Sequence, residues 1–505
     1  MVINIFKNFK QLQLVLLVIL IVTAVFFRFW QIRDYVVFLG DEGRDMIVMR
    51  NIFTKGDIPF LGPSASVGGF YLGPIYYWMA APFLWLSNYD PVGPAYFVAI
   101  VGVLTVFLLF KFLKDTVGLW PAFFASILYA TAPLIVRYSR SSWNPNVLPF
   151  FALLMVYFLY LGISKRKFLY FLFAGAAFGI CIQLHYLAAI LALVAGLIVL
   201  VNENFKKWPL VFILSLTGAL ITFSPFLIFE ARHNFPNFRT IMEFLGRGSN
   251  LGYKSANIFF LTFDIGNIFL SQLSHIIGTI YTKAALLFLS IGLIWGLFKS
   301  WKDEKTRIIF TIALIWFIGG FAGLRFYTGQ IQDYYFGFMF PAPFLATGLV
   351  FYQLWQKRIF RPIVVAISGV LLFTFINNGF FRSAPNRIID QTAQIADLVL
   401  EKTNGEPYNF ALISESNSDH AYRYFLEVRN RPPISLESEI TNQLLVICES
   451  KLCEPLGHPN WEIAGFGRAQ IAGQWDLEKF AIKIFRLEHL SGIPSPAGKP
   501  AQKGG

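Results

Sequence analysis

Apolar positions along this chain come in long unbroken runs, without the 3.6-residue or two-residue periods of a half-buried helix or strand. The stretch Leu12 to Phe27 contains one Gln and one Thr, and about 20 such residues cross a hydrocarbon core roughly 30 Å thick. Lys7 and Lys10 precede it, as in a secretory leader, but no small-residue cleavage site follows. Arg28, Phe29 and Trp30 read as an interfacial boundary, so the run is expected to stay as a first span. Further runs predict spans over 93–112, 118–136, 147–163, 168–184, 187–201, 208–229, 284–298, 307–325, 342–356 and 362–379.

Basic clusters order these runs. They fall at Lys7/Lys10, Lys111/Lys114, Lys165/Arg166/Lys167, Lys206/Lys207, Lys299/Lys302/Lys305 and Lys357/Arg358/Arg361. If all face the cytoplasm, an even number of crossings separates each from the next. About eleven spans result, with a cytoplasmic N-terminus in a cell membrane and an extracytoplasmic C-terminus. Residues 72–87 and 257–281 break this parity and carry prolines or polar groups. They are expected as helices lying on or dipping into the outer interface.

After residue 383 the pattern changes. Residues 384–490 combine a polar helical stretch, Asn386 to Lys402, with strand-like runs Phe410–Ser414, Gln443–Cys448 and Phe480–Phe485. A small extracytoplasmic α/β domain is expected, following a membrane domain over 1–383. Residues 491–505, rich in Pro, Gly, Lys and Ala, read as a disordered tail.

Composition agrees with a membrane protein. The 505 residues are 56% hydrophobic and 14% charged, with 56 Phe and a mean hydropathy of +0.57; a soluble protein would have too little polar surface. The net charge of +13 is assigned to loops facing anionic lipid, and no nucleic-acid partner is expected. Three cysteines form no framework, although Cys448 and Cys453 are close enough in sequence to bridge.

The polar chemistry gathers in the outer loops. The first, Gln31 to about Pro91, is long and opens Gly40-Asp41-Glu42-Gly43-Arg44-Asp45. Carboxylates at a membrane surface are costly unless paired or used. On a helix Asp41, Arg44 and Asp45 share a face, a spacing that suits an interfacial cap with a salt bridge as well as a reactive site. The second loop, Arg137-Tyr-Ser-Arg140-Ser-Ser-Trp143-Asn144-Pro145-Asn146, offers guanidinium groups for a phosphate or for lipid headgroups. Others present His185, then Glu230-Ala-Arg232-His233, then Arg325 through Gln332-Asp333-Tyr334. No Walker loop, zinc spacing or serine elbow occurs. That weighs against a nucleotide-sugar donor and an ATP-driven transporter.

An N-terminal span followed by Gly-Asp41-Glu42 in a long outer loop resembles the GT-C superfamily of integral membrane glycosyltransferases. Within it, the sequence looks like the glycosyltransferase family 39 group of protein O-mannosyltransferases and aminoarabinose transferases. The Gly-Pro74 segment, the arginines after the third span, and Tyr334-Tyr335 leading to Pro341 share the pattern. The resemblance covers roughly residues 1–380. It implies a polyprenyl-phosphate sugar donor, transfer on the outer face with inversion, Asp41 as catalytic carboxylate and Glu42 orienting a neighbour. Arg137, Arg140, Arg232 and Arg325, backed by His233 and Lys55, become candidates for the donor phosphate. Asn144, Asn146, His185, Gln332, Asp333 and Tyr334 become candidates for positioning substrate. Many relatives carry a second acidic residue near Asn144 and Asn146. An amide there disfavours a carboxylate-bridged divalent metal, which is left unassigned, and no cofactor is required. The partners expected are the donor, membrane lipid, and an acceptor that is protein, lipid or glycan. A flippase of lipid-linked sugars, a glycan ligase or polymerase, and a non-catalytic scaffold are the alternatives; the first usually shows repeat-related halves, absent here.

Overall fold

The computed structural model describes residues 9–65, 69–246, 282–324, 332–450 and 453–490. The expected interfacial segment 257–281, Arg325 and the tail 491–505 lie outside the described residues.

All eleven apolar runs are helical where described. The helices are Phe9–Phe29, Val92–Val117, Leu119–Thr131 with Pro133–Tyr138, Leu148–Lys165, Leu169–Leu184, Ile190–Asn202, Trp208–Arg232, Thr282–Lys299, Glu304–Leu324, Ala342–Trp355 and Arg361–Asn377. Among the described residues six helices are long and apolar enough to cross a membrane by length and composition. A seventh counts if Asp333–Met339 and Ala342–Trp355, bent by 51°, form one span. The remaining apolar helices have 10–17 residues. Proline accounts for one break. Pro133 lacks an amide donor and holds Ala132 extended, at φ −57° and ψ 122°, so the third run splits there. Residues 75–86, within the long connection after the first helix, form a helix containing Pro82.

The chain folds as two compact units whose boundary is not a single cut near residue 383. One comprises Met1–Ile32, Asp57–Phe83 and Gly93–Pro385; the other comprises Arg33–Gly56, Leu84–Val92 and Asn386–Gly505. The segment bearing Asp41 thus belongs with the C-terminal sheet.

In the first unit, small residues let helix backbones touch. A Cβ on Gly175 would lie 1.8 Å from the Ser215 carbonyl oxygen, and one on Gly218 would lie 2.0 Å from that of Leu172. Helices Leu169–Leu184 and Trp208–Arg232 therefore pack as closely as helices in lipid commonly do. Outward faces stay apolar: Leu14, Val22, Phe212 and Phe373 are exposed, as lipid contact requires. Arg166 pairs with Glu304 at 3.1 Å and Lys299 donates to Gln356 at 3.2 Å, joining three of the basic loops. Arg28 is fully buried, and donates to the carbonyl of Ala130 at 3.0 Å. It is an interior anchor, where the sequence suggested an interfacial boundary.

The second unit holds a four-stranded sheet: β1 (Asn409–Ile413), β2 (Gln443–Cys448), β3 (Ala469–Leu477) and β4 (Ile482–His489), in the order β1-β2-β4-β3. β1 and β2 are parallel, with Phe410 opposite Leu445; the other pairs are antiparallel. Every residue of β1 and β2 is buried, which explains their continuous apolar sequence. Ile463 and Phe466, from helix Trp461–Phe466, and Leu444, Val446, Phe485 and Leu487 build the core. Cys448 and Cys453 are bridged, their Cα atoms 6.2 Å apart. Arg33 ties the three chain segments of this unit together, reaching Asp90 at 2.5 Å and Asp390 at 2.6 Å.

Candidate active site

The Asp-Glu pair sits in the first turn of helix Gly40–Thr54. Two contacts fix that end. Glu42 folds back to accept the Leu39 N–H at 3.0 Å, and Asn417 from the loop after β1 accepts the Gly40 N–H at 2.9 Å. Both satisfy donors that a helix start leaves open, and acidic side chains there complement the helix dipole.

The glycines around the pair have a packing reason. A Cβ on Gly40 would stand 1.9 Å from Ser418 Oγ, and one on Gly43 would stand 2.4 Å from the Ala421 amide nitrogen. The helix therefore rests directly on the start of helix His420–Val428. This contact distributes the three carboxylates differently. Glu42 is buried and the Asp45 side chain is 1% exposed, whereas that of Asp41 is 58% exposed. Arg44 bridges the ends of the row, reaching Asp41 and Asp45 at 3.0 Å each.

Burial pushes the Glu42 carboxyl up to about 7. The Leu39 N–H and its own amide oppose this, and the charges of Asp45 and Asp41 add to it. His420 is held below the usual imidazole range chiefly by burial, with Arg423 and Arg44 adding to the effect and Asp419 and Asp41 opposing it. Its Nδ1 lies 3.1 Å from Ser418 Oγ. Behind Asn417, Glu449 at the end of β2 accepts the Asn417 amide at 3.1 Å and the Tyr422 hydroxyl at 2.7 Å. The parallel pair β1 and β2 thus supports the acidic helix from loops at its carboxyl ends, where open α/β sheets generally place their sites. Lys55 is exposed one residue beyond the helix.

The other candidates belong to the first unit. Arg137 is exposed, its guanidinium 5.9 Å from the Tyr138 ring centre. Arg140 is buried, donating to the carbonyls of Phe27 at 2.9 Å and Trp30 at 2.7 Å and lying 3.8 Å from the Phe380 ring centre. It closes the end of helix Phe9–Phe29. Asn144 donates to the Leu184 carbonyl at 2.6 Å and Asn146 to that of Ser141 at 2.8 Å, so both amides hold loops. His185 accepts the Leu187 N–H at 3.2 Å and stacks on Tyr186 at 4.6 Å. Tyr334 lies 5.7 Å from the His185 ring and 4.4 Å from that of Trp143. The structure therefore brings Asn144, His185 and Tyr334 together. Asp333 is half-buried beside Tyr334, and Gln332 is exposed. Arg232 and His233 are exposed, with His233 stacked on Phe229 at 4.1 Å.

Sequence reasoning missed Asn417 and Glu449, and gave Glu230 a place in a polar loop but no role. Buried Glu230 accepts from the Asn237 side chain at 2.7 Å and the Phe238 N–H at 3.0 Å, capping helix Pro236–Gly246. The available signal for Asn417 was its polar run, Ser414 to His420, placed directly after a strand. Among the described residues no group of three or more His, Cys, Asp or Glu side chains is placed to hold a metal ion.

A family model described as dolichyl-phosphate-mannose-protein mannosyltransferase matches residues 72–229. No curated protein matches the chain in sequence. Among solved structures, ArnT from Cupriavidus metallidurans bound to undecaprenyl phosphate aligns with a TM-score of 0.61 at 14% identity, over 95% of this chain and 99% of that one. The oligosaccharyltransferase AglB from Archaeoglobus fulgidus, in complex with an inhibitory peptide and a dolichol-phosphate, aligns at 0.50 and 14% identity, over 87% of this chain and 69% of that one. This chain thus shares the fold of ArnT and AglB, the GT-C-type fold that the resemblance implied, with a small C-terminal sheet domain, and over residues 72–229 it is similar in sequence to the dolichyl-phosphate-mannose-protein mannosyltransferase family.

Proposed function

We propose that this protein is a membrane glycosyltransferase that moves a sugar from a polyprenyl-phosphate donor to an acceptor on the outer face of a cell membrane. The observation that carries the reading is the exposure of Asp41 beside two buried carboxylates, at the start of a helix held by Asn417. Asp41 is the group of that row open to substrate. In the proposed step the acceptor oxygen attacks the anomeric carbon, the bond to the phosphate oxygen breaks, and the acceptor proton passes to the Asp41 carboxylate. Attack opposite the leaving group inverts the anomeric carbon. The polyprenyl phosphate that departs carries negative charge, which needs cations nearby. We assign Arg137 to it, because the Arg140 guanidinium is already occupied by two carbonyls. Arg232, His233, Lys55 and Arg325 are further candidates. Glu42 shapes the helix start.

The donor class is supported by the undecaprenyl phosphate on ArnT and the dolichol-phosphate on AglB. A donor carrying more than one sugar is the second reading, favoured by the likeness to an oligosaccharyltransferase. The Cys448–Cys453 bridge supports an oxidising, extracytoplasmic setting for the sheet domain; the eleven-span count then puts the N-terminus in the cytoplasm. The test is release of polyprenyl phosphate from a labelled donor by purified protein in lipid. No release across a panel of sugars would turn the reading to transport.

A further inference from the structure

Within the second unit a cavity of about 450 Å³ opens between helix His420–Val428 and helix Trp461–Phe466. Its walls include Ile47 of the Asp41-bearing helix, and His420, whose carbonyl carbon would lie 2.5 Å from a Cβ on Gly43 of that helix. Trp461, at 65% exposure, presents its indole to solvent. An exposed Trp at the mouth of a polar cavity is unlike a core aromatic, which buries its rings and contributes stability. Here the ring is not needed by the sheet core, which Ile463 and Phe466 of the same helix fill.

The polar lining has a definite charge. Asp419, Glu427, Glu437 and Glu462 face a single guanidinium, that of Arg423. Asp419 is paired with Arg423, and Glu427 lies 3.9 Å from Arg50. Among the described residues Glu437 and Glu462 have no ion pair. In a chain of net charge +13 this is a locally acidic wall, and it repels phosphates, carboxylates and sulfates. It does not form the aromatic cage that selects ammonium groups, since Trp461 is one open plane and Phe410 is buried beneath Arg423. A ligand that uses both the indole and the carboxylates has an apolar ring face and many hydroxyl donors. An apolar ring face lies on the indole, and pairs of hydroxyls donate to the two unpaired carboxylates.

We propose that this cavity is the acceptor subsite and that it takes a neutral carbohydrate chain, its ring stacked on Trp461 and its hydroxyls bound by Glu437 and Glu462. This rests on the transferase reading and adds the acceptor class, a glycan in place of a protein or an acidic lipid headgroup. It also gives the sheet domain a task beyond supporting the Asp41 helix.

The test is binding, so it does not depend on turnover. Full-length protein in lipid nanodiscs is titrated with three neutral hexasaccharides (maltohexaose, cellohexaose and mannohexaose), with hexalysine, and with a Ser/Thr-rich hexapeptide. The expected result is saturable binding of at least one hexasaccharide, weakened at least tenfold by Trp461→Ala, largely restored in Trp461→Phe, and weakened by Glu437→Gln with Glu462→Gln. Trp461 is exposed, so its replacement does not threaten the fold, and thermal unfolding verifies this. Binding of hexalysine or the peptide alone, binding of a hexasaccharide indifferent to Trp461→Ala, or no binding of any probe would each overturn the proposal. Donor turnover measured on the Trp461→Ala protein separates the two readings. If turnover persists without glycan binding, the transferase reading stands and only the subsite falls.

Discussion

The side-chain oxygen of Asn417 accepts the backbone N–H of Gly40 at 2.9 Å. Two residues far apart in sequence are thereby joined at the point where the acidic helix begins. The C-terminal sheet is consequently part of the structure that orients Asp41. Replacing Asn417 by Ala leaves that N–H open and removes a cap worth about 1 kcal/mol. Transfer should fall about fivefold or more, with donor KM little changed, in initial-rate measurements with varied donor. An unchanged rate would mean that the helix start is held by other contacts.

Gly43→Ala places a methyl group where the Ala421 amide nitrogen is 2.4 Å away, and backbone cannot swing aside as a side-chain tip does. Overpacking of this kind costs about 1–3 kcal/mol. A lower unfolding temperature and a loss of transfer at least tenfold are expected. Gly369→Ala is the control for added volume, being exposed with open space around it and no positive φ.

Glu42 gives a pH dependence of definite sign. Burial raises its folded-state pKa to about 7, from an ordinary 4.5. Between these values the folded protein binds more protons than the unfolded one, so stability falls as pH rises. The contribution is fully present below about pH 4.5 and lost by the time pH passes 7. It is on the order of 3 kcal/mol for a shift of that size. Glu42→Gln keeps an acceptor for the Leu39 N–H and removes the titration. Its unfolding temperature should therefore vary less with pH across that window than the wild type's.

Arg137 and Arg140 should separate cleanly. Arg140 is buried on two carbonyls, so Arg140→Ala strands them and lowers stability by about 2–3 kcal/mol. Exposed Arg137→Ala should leave the unfolding temperature unchanged and raise donor KM about tenfold. Reversed behaviour would exchange the two roles.

Much of this was legible in the sequence because hydrophobic runs and turn chemistry act locally. The eleven helical runs could be read in that way, as could β1, β2, the helix over 388–402 and the acidic pair. What escaped depends on partners distant in the chain. Strand β3 reads Ala-Gln-Ile-Ala-Gly-Gln-Trp-Asp-Leu; as an edge strand with a bulge near Gly473 it needs little apolar surface and gives no clean alternation. Arg140 looks like Arg137 in sequence, and only the carbonyls of Phe27 and Trp30 separate them. The same applies to Asn417, which reads as an ordinary loop amide until Gly40 is placed against it. The grouping of residues 33–56 with the C-terminal sheet follows from such contacts and from the Arg33 pairs with Asp90 and Asp390.

The most direct test of the account compares wild type with Asp41→Asn for turnover of a radiolabelled polyprenyl-phosphate sugar by purified protein in lipid. Wild type should release polyprenyl phosphate and pass label to an acceptor from added extract. Asp41→Asn should unfold at the same temperature, bind donor as well, and transfer no label above background. Full transfer by Asp41→Asn would contradict the assignment of Asp41 as the reacting carboxylate. Donor binding by wild type with no turnover of any sugar would contradict the transferase reading itself.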